Sequence, residues 1–403
     1  MEIIERLSYL DHIVSLLNRG MMLFLVGQRR VGKSCLLRQL EAHLKNNRPK
    51  AHIAYINKEL YAFKNITHDD ELYQYAAARL PEGKENYLLI DEVQDIEGYE
   101  NALRSLHAEG RCQIVATGSN AYIFSSELST RLAGRYMEIS IHSLTYREFL
   151  QFHGLSDTDR SLEAYLRIGG LPGLCQYDIE NQTQVKEYLQ SVYDTIMLHD
   201  VVARANIRNV AFIENLSAFV ADNVGKLLSV RNIANVMAAQ GEKLSGPLAG
   251  TYLRYLCAAL IIVPVQRFDI HGRRLLEQIQ KYYFSDHGLR NLLSGFNLRG
   301  SIEKIIENVI FHHLRVWGFQ VNVGTLRNGE IDFVATRNDE RIYLQASYLL
   351  GSDETIRREF GNLKNINDNF PKYVVTMEPV SGDLPDYPGI RHVRLRDFLM
   401  SEM

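Results

Sequence analysis

A short glycine-containing segment, set between an apolar run and an amphipathic stretch, constrains the fold of this chain more than any other feature. Gly27–Ser34 reads GQRRVGKS and matches the pattern Gly-x-x-x-x-Gly-Lys-Ser. The residues before it, Met22–Val26, are all apolar, which predicts a strand buried on both faces. Leucines at helical spacing after Lys33 predict a helix. The segment therefore predicts a bend at which backbone amides and a helix N-terminus gather around an anion.

More strand-like segments follow at intervals filled by helical patterns, namely His52–Asn57, Tyr87–Asp91 and Cys112–Gly118. Strands that alternate with helices predict right-handed crossovers and a parallel sheet covered on both faces. The pattern becomes helical after Tyr146, with one break at Gly169–Gly173. The fold class expected from the sequence is therefore α/β, with additional domains after the first sheet.

Side chains in and after the loop have the chemistry that a nucleoside triphosphate requires. Lys33 supplies a point charge for the terminal phosphates, and the hydroxyl of Ser34 is suited to coordinate Mg²⁺. Asp91 and Glu92 end an apolar strand, where Asp91 would face the water shell of the metal and Glu92 would polarise an attacking water. We predict hydrolysis rather than kinase transfer, with Ser34 and Asp91 as the metal residues. The predicted nucleotide-binding residues are Gly27, Gln28, Arg29, Arg30, Val31, Gly32, Lys33, Ser34 and Cys35.

The strand that ends at Gly118 continues into Ser119 and Asn120. A polar side chain at this strand tip can sense the γ-phosphate or position water, and Asn120 is the preferred candidate for a catalytic role. The alternative is a turn that uses Gly and Asn for backbone reasons. For Ser119 both interpretations stay open.

Residues 1 to about 150 resemble the AAA+-related P-loop ATPases of bacteria and archaea, in the branch with a C-terminal domain of unknown function (AAA_14 with DUF4143). The matching stretches are GQRRVGKS, YLLIDEVQ, ATGSN and LSTRLAGRYMEISIHSLTYREFL, and the resemblance extends through GGLPG to EIDFV. It implies ATP and Mg²⁺ as ligands, and a catalytic arginine near the nucleotide. Arg135 is that candidate and Arg131 is its rival; a surface or interdomain ion pair is the alternative. Action within one chain or across a subunit contact stays open.

The later segments suggest further domains. Two helical patterns, a turn and two strand-like runs around the tip His271–Arg274 follow the winged-helix order from about Phe212. An α/β pattern restarts with an amphipathic helix at Ile302–Trp317, where the resemblance implies a restriction-endonuclease-like fold. The expected domains are a P-loop NTPase of the AAA+-like kind with a parallel sheet (1–150), a helical lid (151–211), a winged-helix domain (212–295) and a PD-(D/E)xK nuclease-like α/β domain (296–403).

Glu307, Asp332 and the strand Tyr343–Ser347 follow the nuclease pattern only in part. That pattern places an Asp on one strand and Glu-x-Lys on the next, and these groups bind Mg²⁺ and activate water. Here the last two positions are Gln345 and Ser347, which supply neither a carboxylate nor an ammonium. We therefore expect a domain without cleavage activity, in which Glu307 and Asp332 have structural roles.

Composition narrows the class of protein further. The 403 residues carry 45 basic and 48 acidic side chains, so bulk charge does not favour a protein that wraps nucleic acid. The four cysteines lie far apart, and no apolar run is long enough to span a bilayer. We expect a cytoplasmic protein with free thiols and no membrane partner, and its oligomeric state stays open.

The resulting hypothesis is an ATPase that acts as a conformational switch, whose C-terminal half recognises DNA or a protein partner. An ATP-regulated DNA nuclease is one alternative, and it would require Asp332 to act despite Gln345 and Ser347. A nucleotide-dependent DNA-binding regulator is another, in which Arg273 and Arg274 at the tip of the winged helix contact phosphates.

Overall fold

The computed structural model of the chain comprises two compact units, each with its own β-sheet. One unit consists of Met1–His142 with Ala258–Leu260, and the other consists of Ser143–Cys257 with Ile261–Met403. The residues that the structure describes are 4–119, 132, 134–205, 207, 209–239, 246–327, 329–378, 384 and 386–401.

The first unit alternates strands and helices. Its helices are α1 (Leu7–Leu16), α2 (Lys33–Asn47), α3 (Asp69–Arg79) and α4 (Tyr99–Ala108). Its strands are β1 (Met22–Val26), β2 (His52–Asn57), β3 (Asn86–Asp91), β4 (Gln113–Gly118) and β5 (Tyr136–Ser140). They form a parallel sheet in the order β2-β3-β4-β1-β5. The expected α/β class with a parallel sheet is confirmed.

The central strands of this sheet are fully enclosed. Every residue of β1, β3 and β4 is buried, as expected for parallel strands with helices on both faces. Phe24 of β1, Ile90 of β3 and Leu103 of α4 belong to one apolar cluster. Since neighbouring parallel strands end at the same edge, this core places the segments that follow Val26, Asp91 and Gly118 close together.

The sequence analysis did not predict β5. Only Ile139 of this strand is buried, because β5 lies at the edge of the sheet and most of its side chains are exposed or half-exposed. A strand of this kind lacks the continuous apolar run by which the enclosed strands were found. β5 pairs with β1 from Met22 opposite Tyr136 to Val26 opposite Ser140.

The second unit begins with helices. They are α5 (Tyr146–His153), α6 (Asp159–Ile168), α7 (Gln182–Thr195), α8 (Val210–Asp222), α9 (Val230–Ala239) and α10 (Gly246–Ala258), with a π-helical segment, Ile196–Ala203, directly after α7. Later helices are α11 (His287–Leu293), α12 (Ile302–Val316), α13 (Asp353–Lys364) and α14 (Leu395–Met400). None of the helices in the described ranges is both long enough and apolar enough to cross a membrane.

The sheet of the second unit is mixed. Its strands are β6 (Ile262–Asp269), β7 (Arg274–Phe284), β8 (Gln320–Leu326), β9 (Gly329–Arg337), β10 (Glu340–Ala346), β11 (Lys372–Thr376) and β12 (Ile390–Arg394). Their order is β12-β11-β10-β9-β8-β6-β7. The hairpin β6–β7 and the neighbours β8, β9 and β10 pair antiparallel, whereas β6–β8, β10–β11 and β11–β12 pair parallel.

The expected boundary between residues 295 and 296 does not separate two sheets. Helices α9 and α10 and the hairpin β6–β7 follow the winged-helix order, but β6 pairs with β8 from Arg267 opposite Val323 to Asp269 opposite Thr325. The hairpin is therefore the edge of the C-terminal sheet and not a wing that stands apart. The paired residues of β6 and β8 are more than 50 positions apart in the sequence. A hairpin is recognised from the residues of its own turn, which do not indicate such a distant pairing.

Candidate functional site

The predicted anion-binding loop joins the end of β1 to the start of α2. Gly32 immediately precedes the helix with a φ of 100°, in the left-handed region that glycine adopts without strain. A Cβ on Gly27 would lie 2.2 Å from the carbonyl oxygen of Ile141, so a larger residue does not fit there. The backbone therefore requires both glycines of the motif. The bend places the N-terminus of α2 where the loop amides gather, as anion binding requires.

Lys33 and Gln28 are buried polar side chains of this loop. The Lys33 ammonium donates to the carbonyl oxygens of Gly27 (2.9 Å) and Gln28 (3.1 Å), which keeps its charge inside the loop. Neither the oxygen nor the nitrogen of the Gln28 side-chain amide has a hydrogen-bond partner among the described residues. Such a buried amide is unfavourable unless a ligand or water satisfies it. The loop is thus suited to a polar ligand.

Asp91, the last residue of β3, is completely buried. Its Oδ1 accepts hydrogen bonds from Thr117 Oγ1 (2.7 Å) and Ser34 Oγ (3.0 Å). Its Oδ2 is buried and has no hydrogen-bond partner in the described part of the chain. Burial raises the pKa of Asp91, and the two hydroxyl groups only partly oppose this. A buried carboxylate oxygen beside a serine hydroxyl is a suitable pair of ligands for Mg²⁺, which prefers oxygen.

Glu92 is also buried and has a left-handed backbone conformation, with a φ of 57°. Its backbone N–H donates to Thr117 Oγ1 (2.9 Å), and its carboxylate accepts a hydrogen bond from Gln94. Burial alone would raise the pKa of Glu92, but Lys33, Gln94 and Arg29 lower it below its ordinary value. An ionised carboxylate next to the loop is what a water-polarising group requires.

Thr117 belongs to this site, although the sequence analysis did not single it out. Its hydroxyl is the common partner of Asp91 and Glu92, donating to the carboxylate of the first and accepting from the backbone of the second. The available signal was its position at the end of β4, the strand that neighbours β3. One hydroxyl thus fixes both acidic residues in relation to the loop.

Comparison with known proteins agrees with this geometry. A family model described as AAA domain (AAA_14) matches residues 19–150. An uncharacterized protein of Haemophilus influenzae is 31% identical over 379 residues, which cover 93% of this chain and 93% of that protein. The chain belongs to the AAA-type P-loop ATPase family. An uncharacterized protein of Methanocaldococcus jannaschii is 28% identical over 358 residues, which cover 85% of this chain and 78% of that protein.

A second family model matches part of the remainder of this AAA-family chain. It describes a domain of unknown function, DUF8612, and covers residues 159–299. The DUF4143 domain that the resemblance implied is not confirmed. The match extends across the boundary expected between the lid and the winged-helix domain. Among solved structures, a Walker-type ATPase of Pyrococcus abyssi is 17% identical with a TM-score of 0.48, covering 71% of this chain and 93% of that one.

Arg135 does not lie at the phosphate loop of its own chain. It precedes β5, and its carbonyl oxygen accepts a hydrogen bond from the N–H of Met22 (3.0 Å) at the start of β1. The loop follows Val26 at the other end of that strand, about 15 Å away for a strand of this length. The exposed Arg135 instead lies near His107, whose pKa is lowered by burial and then by this charge. The structure thus places Arg135 away from the loop of its own chain, and its catalytic role, within one chain or across a subunit contact, stays a prediction.

The other predicted catalytic and nucleotide-binding residues differ in how deeply they are buried. Asn120 and Arg131 lie outside the described residues, so their roles stay predictions. Ser119 is buried, and its hydroxyl contributes to lowering the pKa of Glu92. The remaining predicted nucleotide-binding residues are the buried Val31, the half-buried Arg29 and the exposed Arg30 and Cys35.

The second unit brings the two predicted C-terminal carboxylates together around Lys281 of β7. The buried ammonium lies 2.9 Å from Glu307 Oε1, 2.7 Å from Glu330 Oε1 and 3.5 Å from Asp332 Oδ1. Tyr283 donates its hydroxyl hydrogen to the same oxygen of Glu307 (2.5 Å). Burial alone would lower the pKa of Lys281, but the carboxylates raise it well above its ordinary value. A protonated lysine, which the sequence analysis did not consider, thus offsets part of the negative charge of this cluster.

Gln345 and Ser347 do not complete a metal centre here. Gln345 accepts from the backbone N–H of Asp332 (2.7 Å) and donates to Glu359 Oε2 (2.6 Å), so its amide links two acidic residues. In the described ranges no group of three or more His, Cys, Asp or Glu side chains is placed to hold a metal ion. That Glu307 and Asp332 have structural roles stays a prediction.

Proposed function

We propose that the protein binds ATP with Mg²⁺ and hydrolyses it at the sheet edge where β1, β3 and β4 end. The observation that carries the proposal is that Ser34 and Asp91, which lie far apart in the sequence, are in contact in the fold. The Ser34 hydroxyl donates to Asp91 Oδ1 at 3.0 Å, while the buried Oδ2 lacks a partner among the described residues. Membership of the AAA-type P-loop ATPase family supports the same chemistry.

Each side chain of the site has a task that its surroundings support. The loop amides and the N-terminus of α2 bind the phosphates, and Lys33 is placed to exchange its carbonyl partners for phosphate oxygens. Ser34 and Asp91 would hold Mg²⁺, which, when bound, offsets the charge of the phosphates. Glu92 accepts a hydrogen bond from the attacking water, because its lowered pKa keeps it ionised.

Lys33→Ala tests this assignment, with Lys45→Ala as the matched control. Both lysines are on α2, but Lys33 is buried in the loop, whereas Lys45 is exposed and pairs with Glu41. Without the Lys33 ammonium we expect phosphate release from Mg-ATP to slow by about a hundredfold or more, with the Lys45 variant close to wild type. Wild-type turnover in the Lys33 variant would contradict the proposal.

Glu92→Gln separates binding from hydrolysis. The amide keeps the size of the side chain but cannot act as the carboxylate acceptor for water, so we expect ATP to bind and turnover to fall. Equilibrium binding of ATP and phosphate release, measured on the same preparation, give both quantities. Normal turnover in this variant would assign the positioning of water to another group.

We further propose that the ATPase is a switch whose second unit recognises DNA or a protein partner. The ion pairs that the surrounding carboxylates form with Lys281 support recognition rather than DNA cleavage. Arg273 and Arg274 are exposed at the tip of the β6–β7 hairpin and are the candidates for phosphate contacts. Salt-dependent retention on DNA that weakens in Arg273→Ala and Arg274→Ala would support the DNA-binding form of the proposal. Retention that is indifferent to both changes would count against phosphate contacts by these arginines.

A further inference from the structure

Arg6, just before α1, is a buried cation that contacts the phosphate loop from outside. The side chain is 5% exposed. Its Nη1 donates to the carbonyl oxygen of Val31 (3.2 Å) and to that of His142 (2.9 Å). The guanidinium lies over the ring of Tyr9, 4.4 Å from its centroid, and the Tyr9 hydroxyl accepts a hydrogen bond from the His142 N–H (3.4 Å). Arg6 thus joins the loop to His142, the last residue of the first unit before the chain enters the second.

The contact with Val31 fixes the orientation of one peptide group in the loop. In a trans peptide the C=O and the following N–H point in opposite directions, so the Val31 carbonyl and the Gly32 N–H have opposite orientations. Anion-binding loops direct their N–H groups towards the anion and their carbonyls away from it. By holding the Val31 carbonyl on the outside, Arg6 favours the conformation in which the Gly32 N–H faces the phosphates.

The same loop contacts the segment 141–142 at a second place. The Ile141 N–H donates to the carbonyl of Val26 (2.6 Å), which continues the pairing of β1 and β5. The Ile141 carbonyl lies against Gly27, where no Cβ would fit. Residues 141–142 therefore contact the beginning of the loop directly and the Val31 carbonyl through Arg6, just before the chain continues into the second unit.

We infer that Arg6 is a positioning residue of the phosphate site and that it couples occupancy of the loop to residues 141–142. This inference rests on the proposed binding of ATP. The proposed switch could then transmit the state of the loop to residues 141–142 without Arg135. A phosphate that fixes the Val31–Gly32 peptide also fixes the acceptor of Arg6, and through its other hydrogen bond the position of the His142 carbonyl.

Arg6→Met and Arg6→Lys test the first part, with Arg19→Met as the control because Arg19 is exposed. A hydrogen bond to a charged group supports roughly a tenfold to hundredfold difference in affinity. We therefore expect the dissociation constant of Mg-ATP to rise by about that factor in Arg6→Met and by less in Arg6→Lys, which keeps a charged donor. Binding at wild-type affinity by Arg6→Met would overturn the inference.

Hydrogen exchange at saturating Mg-ATP tests the coupling separately from affinity. We expect nucleotide to slow exchange of the amides of Ile141 and His142 in the wild-type protein, and this protection to be lost in Arg6→Met at equal occupancy. A merely structural role would lower stability but leave the response to nucleotide unchanged. If Arg6→Met does not fold, the wild-type experiment decides, since unaltered exchange at these amides would overturn the coupling. Failure of wild-type protein to bind ATP would instead refute the proposed function.

Discussion

Thr117→Val removes one hydroxyl on which two acidic residues depend, while keeping the size of the side chain. Thr117 is completely buried, so water cannot replace the lost group without entering the core. The change deletes the hydrogen bond to Asp91 Oδ1 (2.7 Å) and leaves the Glu92 N–H without the acceptor that it has at 2.9 Å. Both losses occur at the sheet edge where we propose that ATP binds, so the effects on stability and turnover have a common cause.

The magnitude follows from these two contacts. A hydrogen bond to a carboxylate contributes about 1.5–3 kcal/mol, and a buried N–H left without a partner costs about 1–3 kcal/mol. Because both involve the same hydroxyl they are not additive, and we expect a loss of about 2–5 kcal/mol in the local free energy of unfolding. The pKa of Asp91 should rise further, since the Thr117 hydroxyl lowers it.

Native-state hydrogen exchange of the β3 and β4 amides measures this loss locally, which avoids the assumption that two units unfold together. Thr117→Ser is the matched control, because it keeps the hydroxyl and loses only a methyl group worth about 1 kcal/mol. We also expect a fall in kcat in the valine variant, since Glu92 and Asp91 lose their common support. If the valine variant is as stable and as active as the serine variant, Thr117 does not position the acidic pair.

Three further outcomes follow from the structure. Since burial raises the pKa of Asp91, protons should compete with Mg²⁺ at a higher pH than for an exposed aspartate, so Mg²⁺ affinity measured by titration should fall early on acidification. Lys281→Met leaves buried carboxylates without a counter-charge and should cost about 3–5 kcal/mol. Unfolding followed by the single tryptophan measures that loss, which lower pH should partly reverse by protonating Glu307, whose pKa burial raises to about 7. Gly27→Ala places a Cβ against the Ile141 carbonyl and should abolish ATP binding in a filter assay.

For each of these predictions, a variant or a control defines the result that would refute it. Asp91→Asn should remove the pH dependence of Mg²⁺ affinity together with most of the affinity, and a persisting dependence would assign the titration to another group. For the second unit, an unfolding midpoint in Lys281→Met equal to that of the wild type would show that the carboxylates do not depend on the ammonium. Gly246→Ala meets open space and should bind ATP normally, whereas normal binding by Gly27→Ala would refute the steric argument.

Short sequence patterns predicted those parts of the site that depend on a few consecutive residues. The loop between β1 and α2 requires two glycines for backbone reasons, and the acidic pair after β3 follows a fully apolar strand, so both are visible in a few consecutive residues. Thr117 and Lys281 were missed because their roles depend on neighbours in space. Thr117 acts through the adjacent strand β3, and Lys281 meets Glu307 and Asp332 from a strand that the sequence analysis had assigned to another domain.

Arg135 shows the limit of placing a residue by family resemblance without a strand register. The sequence between residues 119 and 136 contains no strand signal, so the direction in which β5 enters the sheet was not predicted. Once β5 pairs parallel to β1 from Met22 opposite Tyr136, the residue before it must lie at the edge away from the loop. The continuous apolar strands were predictable because burial on both faces leaves a strong pattern, whereas an exposed edge strand leaves almost none.

The contacts of Ser34 and Lys33 bear on the proposed role of this site as a switch. A ligand shifts a conformational equilibrium only if it changes contacts that differ between two states. The Ser34 hydroxyl donates to Asp91, and the Lys33 ammonium donates to loop carbonyls, so binding of phosphate and metal must exchange partners that the protein itself supplies. Loss of the γ-phosphate would restore part of the original set. The Val31 carbonyl, which accepts a hydrogen bond from Arg6, lies in the same loop. These exchanges would therefore also affect the hydrogen bond between Arg6 and the His142 carbonyl.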